Sequence, residues 1–306
     1  MPDESRRTLV LLAVVVLASG CASSGGNQNT ESSIISVNTF DAPQGTVPAG
    51  QTINLNMELE NTGDSEVRNV AARIFGPAWL NTKYSKSERT KSFGTLYPET
   101  DSRPGMPKME TWSLNAPDIG ENREVDYTIF SKIFYSYSAS TTTDFKLVSS
   151  ERFRDQGYTR TDASLETMSG PIQLDIRGTT PKIYYKEDSN TIESEICIVA
   201  TNSGSGTAFT SGEMNGREYE LSQANKDTIR LSIDARGGVN FEATGDKSGN
   251  TVNVPLVSGE EGYQCFTMST GSLNNDETNV NVQVTAEYNY VKEDQTTTTV
   301  EGRAIN

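Results

Sequence analysis

Beyond residue 33, apolar and polar residues alternate in twos through most of the chain. Ile53, Leu55, Met57 and Leu59 are separated by Asn54, Asn56 and Glu58. After a turn at Asn61-Thr62-Gly63-Asp64 come Val70, Ala72 and Ile74. Val125, Tyr127, Ile129, Ser131, Ile133, Tyr135 and Tyr137 make a longer run of the same kind. Successive residues of a strand point to opposite faces, so these runs predict half-buried strands. Gly, Asn, Asp and Ser clusters punctuate them at short intervals, as turns do. No amphipathic helix is evident after the leading segment.

The pattern occurs twice. In the first copy a strand runs into Asn61-Thr62-Gly63. In the second, Ile196 to Thr201 runs into Asn202-Ser203-Gly204-Ser205-Gly206. The first copy closes with Tyr135-Ser136-Tyr137, then Thr141-Thr142-Thr143 and a short strand at Phe145–Val148. The second closes with Val280, Val282, Val284 and Ala286, then Tyr288-Asn289-Tyr290 and Thr296 to Val300. One fold used twice, each copy ending in a Tyr-x-Tyr hairpin, is the expectation. The boundary falls near Ser169-Gly170-Pro171. The predicted class is all-β: two tandem immunoglobulin-like β-sandwiches, residues 34–168 and 171–306. The strand followed by Asn-x-Gly, with Val or Ala soon after, resembles the CARDB-like, immunoglobulin-like modules of archaeal and bacterial cell-surface proteins. That resemblance covers most of the chain after the leader and implies spacer, adhesion or carbohydrate-binding roles.

The leading segment has its own grammar. Arg6 and Arg7 precede an apolar run from Leu9 to Ala18, then Ser19-Gly20-Cys21. The run is about half of the roughly 20 residues that a membrane-crossing helix needs. A charged start, a short apolar stretch and small residues before a cysteine read as a signal peptide, residues 1–20, ending at a lipid-attachment site, Cys21. The stretch resembles the lipobox of prokaryotic lipoproteins, with Ala18 where Leu is preferred. Ser-Arg-Arg-x-Leu-Val also resembles a twin-arginine signal; two arginines serve an ordinary signal peptide as well. The competing reading of Cys21 is an incidental cysteine behind a soluble signal. Residues 21–33, small and polar, predict a flexible leash.

Charge and composition narrow the function. Lys and Arg number 26 against 41 Asp and Glu, a net charge of −15. Residues 1–20 carry two acids and two bases, so the whole charge belongs to the remainder. An acidic chain excludes a phosphate-binding face broad enough for nucleic acid, and the expected membrane contact is covalent, through Cys21. With the leader, the acidity fits an archaeal, salt-adapted surface protein; an ordinary acidic surface protein is the alternative. The chain has no histidine, which excludes Ser-His-Asp and Cys-His chemistry and His-ligated metal sites.

If Cys21 carries lipid, Cys197 and Cys265 remain as a pair in an oxidising compartment and are expected to form a disulfide; two separate buried thiols are the alternative. Aligning the two copies puts Leu55, Met57 and Leu59 opposite Ile196, Ile198 and Ala200, and Trp112 and Leu114 opposite Phe266 and Met268. Both cysteines then point away from the core on neighbouring strands, which predicts a cross-strand bridge adding about 3–4 kcal/mol.

Tyr135, Tyr137, Tyr288 and Tyr290 are candidate binding residues, since exposed rings stack on sugars or proteins, but their places continue the core-facing alternation of their strands and read better as packed inward. Asp246–Asn250 and Asn274–Glu277 offer oxygen ligands for calcium, without the spacing of a known loop, and read better as solvated turns. Thr82–Met109, with Lys83, Lys86, Arg89, Lys91 and Arg103, is a basic island in an acidic chain and reads as a long loop that is either functional or a plain insertion. No catalytic residue, metal or cofactor is expected. The function predicted is a lipid-anchored extracytoplasmic module for interaction, adhesion or scaffolding, with envelope proteins or glycans as partners. The alternative is a solute- or glycan-binding lipoprotein of a transporter, a class that usually uses α/β lobes around a cleft.

Overall fold

A computed structural model describes residues 33–302, apart from 101–104, 159–161, 167–168, 178–182, 187–191, 211–222, 237 and 271–276. The leader, with Arg6, Arg7 and Cys21, lies outside the described residues, as do Arg103 and Asn274–Asp276.

The first half forms strands β1 (Ile35–Asp41), β2 (Thr46–Pro48), β3 (Thr52–Asn61), β4 (Val67–Phe75), β5 (Thr90–Leu96), β6 (Lys108–Asn115) and β7 (Glu124–Ser149). The second forms β8 (Ile172–Ile176), β9 (Ile183–Lys186), β10 (Ile192–Asn202), β11 (Thr207–Thr210), β12 (Thr228–Ala235), β13 (Val239–Ala243), β14 (Thr251–Pro255), β15 (Glu261–Thr270) and β16 (Glu277–Glu301). Two helices of under two turns, α1 (Ala78–Lys83) and α2 (Ser150–Gln156), are too short to leave a periodic signature in the sequence. The Ser149 side chain caps α2 by accepting from the Arg152 amide, and Gly157 ends it at φ 60°.

The molecule is an all-β sandwich. One nine-stranded sheet carries β14-β12-β16-β7-β4-β5, with β2, β9 and β11 attached. Its inner face is covered by two small sheets, β1-β3-β6 from the first half and β13-β15-β10-β8 from the second. Alternation explains the layering. Ile53, Leu55, Met57 and Leu59 of β3, Ile196, Ile198 and Ala200 of β10, and Ile129, Ile133 and Tyr135 of β7 are all buried in one continuous hydrophobic cluster.

The repeat is structural at its paired core positions. Leu55 pairs with Trp112 as Ile196 pairs with Phe266. Asn61 and Asn202 make the same bonds: the side-chain oxygen accepts the amide two residues on, from Gly63 at 2.9 Å and from Gly204 at 3.2 Å. The side-chain nitrogen donates to Ser65 and Leu96 in one copy and to Gly206 and Gly259 in the other, at 2.8–3.0 Å. The residue read as a turn former is therefore a tie between layers: from the end of β3 it holds the last carbonyl of β5 in the opposite sheet. Glycine is required beside it, because a Cβ at Gly206 would overlap the Val291 carbonyl and the Tyr290 ring.

The expected Tyr-x-Tyr hairpins are absent. β7 and β16 run straight through as strands of 26 and 25 residues. Thr141 and Thr143 continue the inward alternation and are buried, and β-branched threonine favours strand over turn. The two long strands pair antiparallel over the full length of β16, Glu277 to Val148 through Glu301 to Glu124. The register puts Tyr135 against Tyr290, Tyr137 against Tyr288, and Ser136 against Asn289. A pseudo-twofold axis passes through that last pair, where Ser136 Oγ donates to Asn289 Oδ1 at 2.7 Å. The flanking strands obey it too. β2 of the first half pairs in parallel with the end of β16, and β9 of the second pairs in parallel with the end of β7. Each half lends a strand to the other, an isologous arrangement of the kind that usually joins two subunits. The sequence halves meet at Ser169-Gly170-Pro171, which is packed in: Ser169 Oγ lies 3.0 Å from the Tyr137 hydroxyl and accepts the Asp64 amide at 3.2 Å.

Produced separately, residues 33–170 and 171–302 should each fail to give a folded monomer, because each leaves its long strand without its partner. Co-production should give a 1:1 complex, read by size-exclusion chromatography with light scattering. A folded, monomeric half would contradict the shared-sheet account.

Candidate functional site

The four tyrosines are inside. Tyr135, Tyr137, Tyr288 and Tyr290 are between 0% and 4% exposed. They form one aromatic group around the pseudo-twofold: ring centroids of Tyr135 and Tyr290 are 5.5 Å apart, and those of Tyr137 and Tyr288 are 6.0 Å apart. Tyr290 donates to Asn202 Oδ1 at 3.0 Å and accepts the Gly206 amide at 2.9 Å. Burial, then the neighbouring phenols, push the Tyr135 hydroxyl well above the ordinary phenol range; burial chiefly does the same to Tyr288. Of the two readings of these tyrosines, the inward one is the one the structure has, and the binding one is set aside: the rings are core.

Cys197 and Cys265 are bonded to each other across directly paired positions of β10 and β15. The Cys197 carbonyl accepts from Arg177 on β8's side and the Cys265 carbonyl from Thr244 on β13's side. Their backbone groups therefore point away from each other, and the pair is of the closer, non-hydrogen-bonded kind, with Cα atoms 3.9 Å apart. Their neighbours Ile196, Ile198 and Phe266 fill the core while both cysteines are half-buried on the outer face. Glu195 approaches the bridge, but sulfurs bonded to each other are not thiolate ligands, so this trio is not a metal site in the oxidised protein.

Asp246–Asn250 forms a turn between β13 and β14. Gly245 and Gly249 adopt positive φ, Asn250 donates to Asp234 at 2.6 Å, and Lys247 reaches over to the Asn253 carbonyl at 2.7 Å. A lysine folded back over the loop is a poor companion for calcium.

The feature with binding chemistry lies on the outer face of the large sheet. There β7 presents Phe130, Lys132 and Phe134 in alternation, and β4 sets Phe75, Arg73 and Ala71 directly opposite them. Phe75 stacks on Phe130 with centroids 5.6 Å apart. Lys132 Nζ lies 5.4 Å from the centre of the Phe75 ring, and the Arg73 guanidinium lies 5.4 Å from that of Phe134. The basic island supplies the rest: Lys86 and Arg89 join Arg73, Phe75 and Lys132 around a cleft of about 250 Å³. Arg89 is held rigidly, donating from Nε to the Tyr84 carbonyl at 3.2 Å and from Nη1 to Asn81 Oδ1 at 2.6 Å. α1 thus serves to place Asn81 against it. Burial, and after it the Arg73 charge, lower the Arg89 pKa. Lys132 has Glu293 at 3.2 Å, while Glu88 turns away and accepts from the amide and hydroxyl of Ser85. The island divides: Lys83 lines a separate hollow with Trp79 and Asp118. Arg73 and Lys132 were missed in the sequence because they lie outside the island; the signal for them is the aromatic–cation–aromatic order of the outward positions of β7.

A second charged group caps the far end of the long pair. Glu277 accepts from Lys146 at 2.7 Å, from Arg152 at 2.8 Å and from the Tyr158 hydroxyl at 2.9 Å. These bonds lower its pKa to about 2.

No family model matches the chain, and no curated protein matches it. Among solved structures it is similar to the collagen adhesin from S. aureus, at 10% identity over 90% of this chain and 95% of that one, with a TM-score of 0.10. It is also similar to the Enterococcus faecalis protein ACE, described as binding its ligands by the collagen Hug model, at 8% identity over 90% and 98%, with a TM-score of 0.11. Scores of that size carry no argument about ligand.

Two predictions follow from these groups. Replacing both Cys197 and Cys265 by Ser frees a 68-residue separation. It should cost about 4 kcal/mol in the chain-entropy account, read as a lower denaturant midpoint with an unchanged β-sheet circular dichroism spectrum. For Glu277, the folded pKa of about 2 lies below the ordinary 4.5, so its stabilisation is present above pH 4.5 and lost as pH falls toward 2. The melting temperature of Glu277→Gln should therefore fall below that of the parent at neutral pH, with the gap closing between pH 4.5 and 2.

Proposed function

We propose that this chain is a non-catalytic binding and scaffolding module, held on the outer face of the cell membrane by lipid on Cys21. The observation that carries the binding role is the cleft on the open face of the large sheet. Its lining of Arg73, Lys86, Arg89, Lys132 and a phenyl ring suits recognition of an anionic group. The Cys197–Cys265 disulfide supports an oxidising compartment, in keeping with a signal peptide and lipobox at residues 1–21. The rigid double sandwich supports a display role, and the polar stretch after Cys21 supplies the leash. In this reading export uses either the twin-arginine or the general route, and the partners are proteins or glycans of the envelope.

Intact mass of the protein from its native membrane fraction tests the anchor. The expected result is a chain starting at Cys21 with a lipid-sized increment, and Cys21→Ser should shift the protein out of the membrane fraction. An unlipidated chain cleaved nearby would replace the anchored reading with a secreted one.

A further inference from the structure

The pseudo-twofold provides an internal comparison for the cationic cleft. The axis relates Tyr135 to Tyr288 and Tyr137 to Tyr290, so along the same strands Phe130, Lys132 and Phe134 correspond to Gln283, Thr285 and Glu287. The strands beside them correspond as well. Arg73 opposite Lys132 matches Ser232 opposite Thr285, and Phe75 opposite Phe130 matches Asp234 opposite Gln283. Two cations and two aromatic rings in one half are thus two hydroxyls, an acid and an amide at the same places in the other. Both halves hold the same sheet with the same register. The paired strands therefore form in this register without cations or aromatic rings at these four places, and the first half differs in setting α1 and the Lys86–Arg89 turn beside them.

Four cations converge on one small cleft, and Arg89 is partly withdrawn from water beside Arg73. Glu293 reaches Lys132 at 3.2 Å, and the clustered positive charge around Arg73 and Arg89 still favours an anion seated in the cleft. At about 250 Å³ the cleft lies below the range of drug-sized pockets, which fits a single compact unit of a larger ligand. The guanidinium of Arg73, with Arg89 beside it, matches the planar oxygens of a carboxylate or sulfate. The half-buried Phe75–Phe130 stack offers an apolar flank for the carbon face of a ring.

We propose that this cleft binds one anionic pyranose unit, bearing a carboxylate or a sulfate, of a surface polysaccharide. The cations take the anion, and Phe75 with Phe130 takes the sugar ring. The inference rests on the reading of the chain as a binding module but not on its lipid anchor. A failed titration leaves the anchor standing, and an unlipidated chain leaves the titration standing.

The test is titration calorimetry on the full-length protein in detergent at low ionic strength. The probes are a glucuronate oligosaccharide, its carboxyl-reduced neutral counterpart, a sulfated neutral oligosaccharide, a poly-glutamate peptide and inorganic sulfate. Binding of either or both anionic oligosaccharides, weakening with salt, with the neutral sugar, peptide and inorganic sulfate at least about tenfold weaker, is expected; which of the two binds names the anion. The double variant Arg73→Ser, Lys132→Thr copies the second half's own residues, and Lys86→Ala is a single exposed change. Each should weaken binding by about tenfold or more while leaving the melting temperature close to the parent's. The proposal is overturned if neither anionic sugar binds, if the neutral sugar, peptide or inorganic sulfate binds as well, or if folded variants bind like the parent.

Discussion

The β7–β16 ladder is the constraint on which the rest of the molecule depends. Its register fixes the pseudo-twofold, and the axis fixes which residues of one half meet which of the other. The inward positions along the middle of both strands are committed to the core: Ile129, Tyr135, Ala139 and Phe145 on one, and Val280, Val284, Ala286 and Tyr290 on the other. A slip of one residue would turn all of them to solvent and bring Lys132 and Asp144 inside. The small sheets, the tyrosine group and the outer cleft all take their places from that alignment.

Much of the fold was legible because alternation is a direct physical record of a two-faced strand. The equivalence of Leu55 with Ile196 and of Trp112 with Phe266, and with it the outward geometry of the disulfide, followed from aligning the two copies. Continuity was not legible. Thr141-Thr142-Thr143 looked like a pause between strands, yet threonine alternates in and out as well as valine does. Nor could the pattern show that two halves exchange strands, because a strand's own residues do not say which edge they join. β2 and β9 are three and four residues long, too short for any periodicity to speak.

The candidate site was half visible. The basic island drew notice to Lys86 and Arg89, while Arg73 and Lys132 sat unnoticed in strands read only for their inward faces. Pattern reading rewards the buried side of a strand and discards the other as solvent-facing. Here the discarded positions of β7 are where the second half departs from the first: Phe130, Lys132 and Phe134 against Gln283, Thr285 and Glu287. Asn61 and Asn202 were seen for a different reason than the one they serve. Asparagine before glycine announces a turn, but its recurrence in both copies reflects a side-chain amide that satisfies two carbonyls at once, those of Ser65 and Leu96 in one copy and of Gly206 and Gly259 in the other.

The long ladder also sets the order in which the molecule can assemble. β7 is complete by Ser149, but its partner begins only at Glu277, with all the other strands of the second half in between. A chain emerging from the ribosome therefore carries a 26-residue strand with one edge open until β16 has been made. Pairings so distant in sequence are slow to close, and an open apolar edge invites other chains meanwhile. The protein's most orderly feature is thus also its principal hazard during synthesis, and a holding chaperone has most to protect in the interval between those two strands.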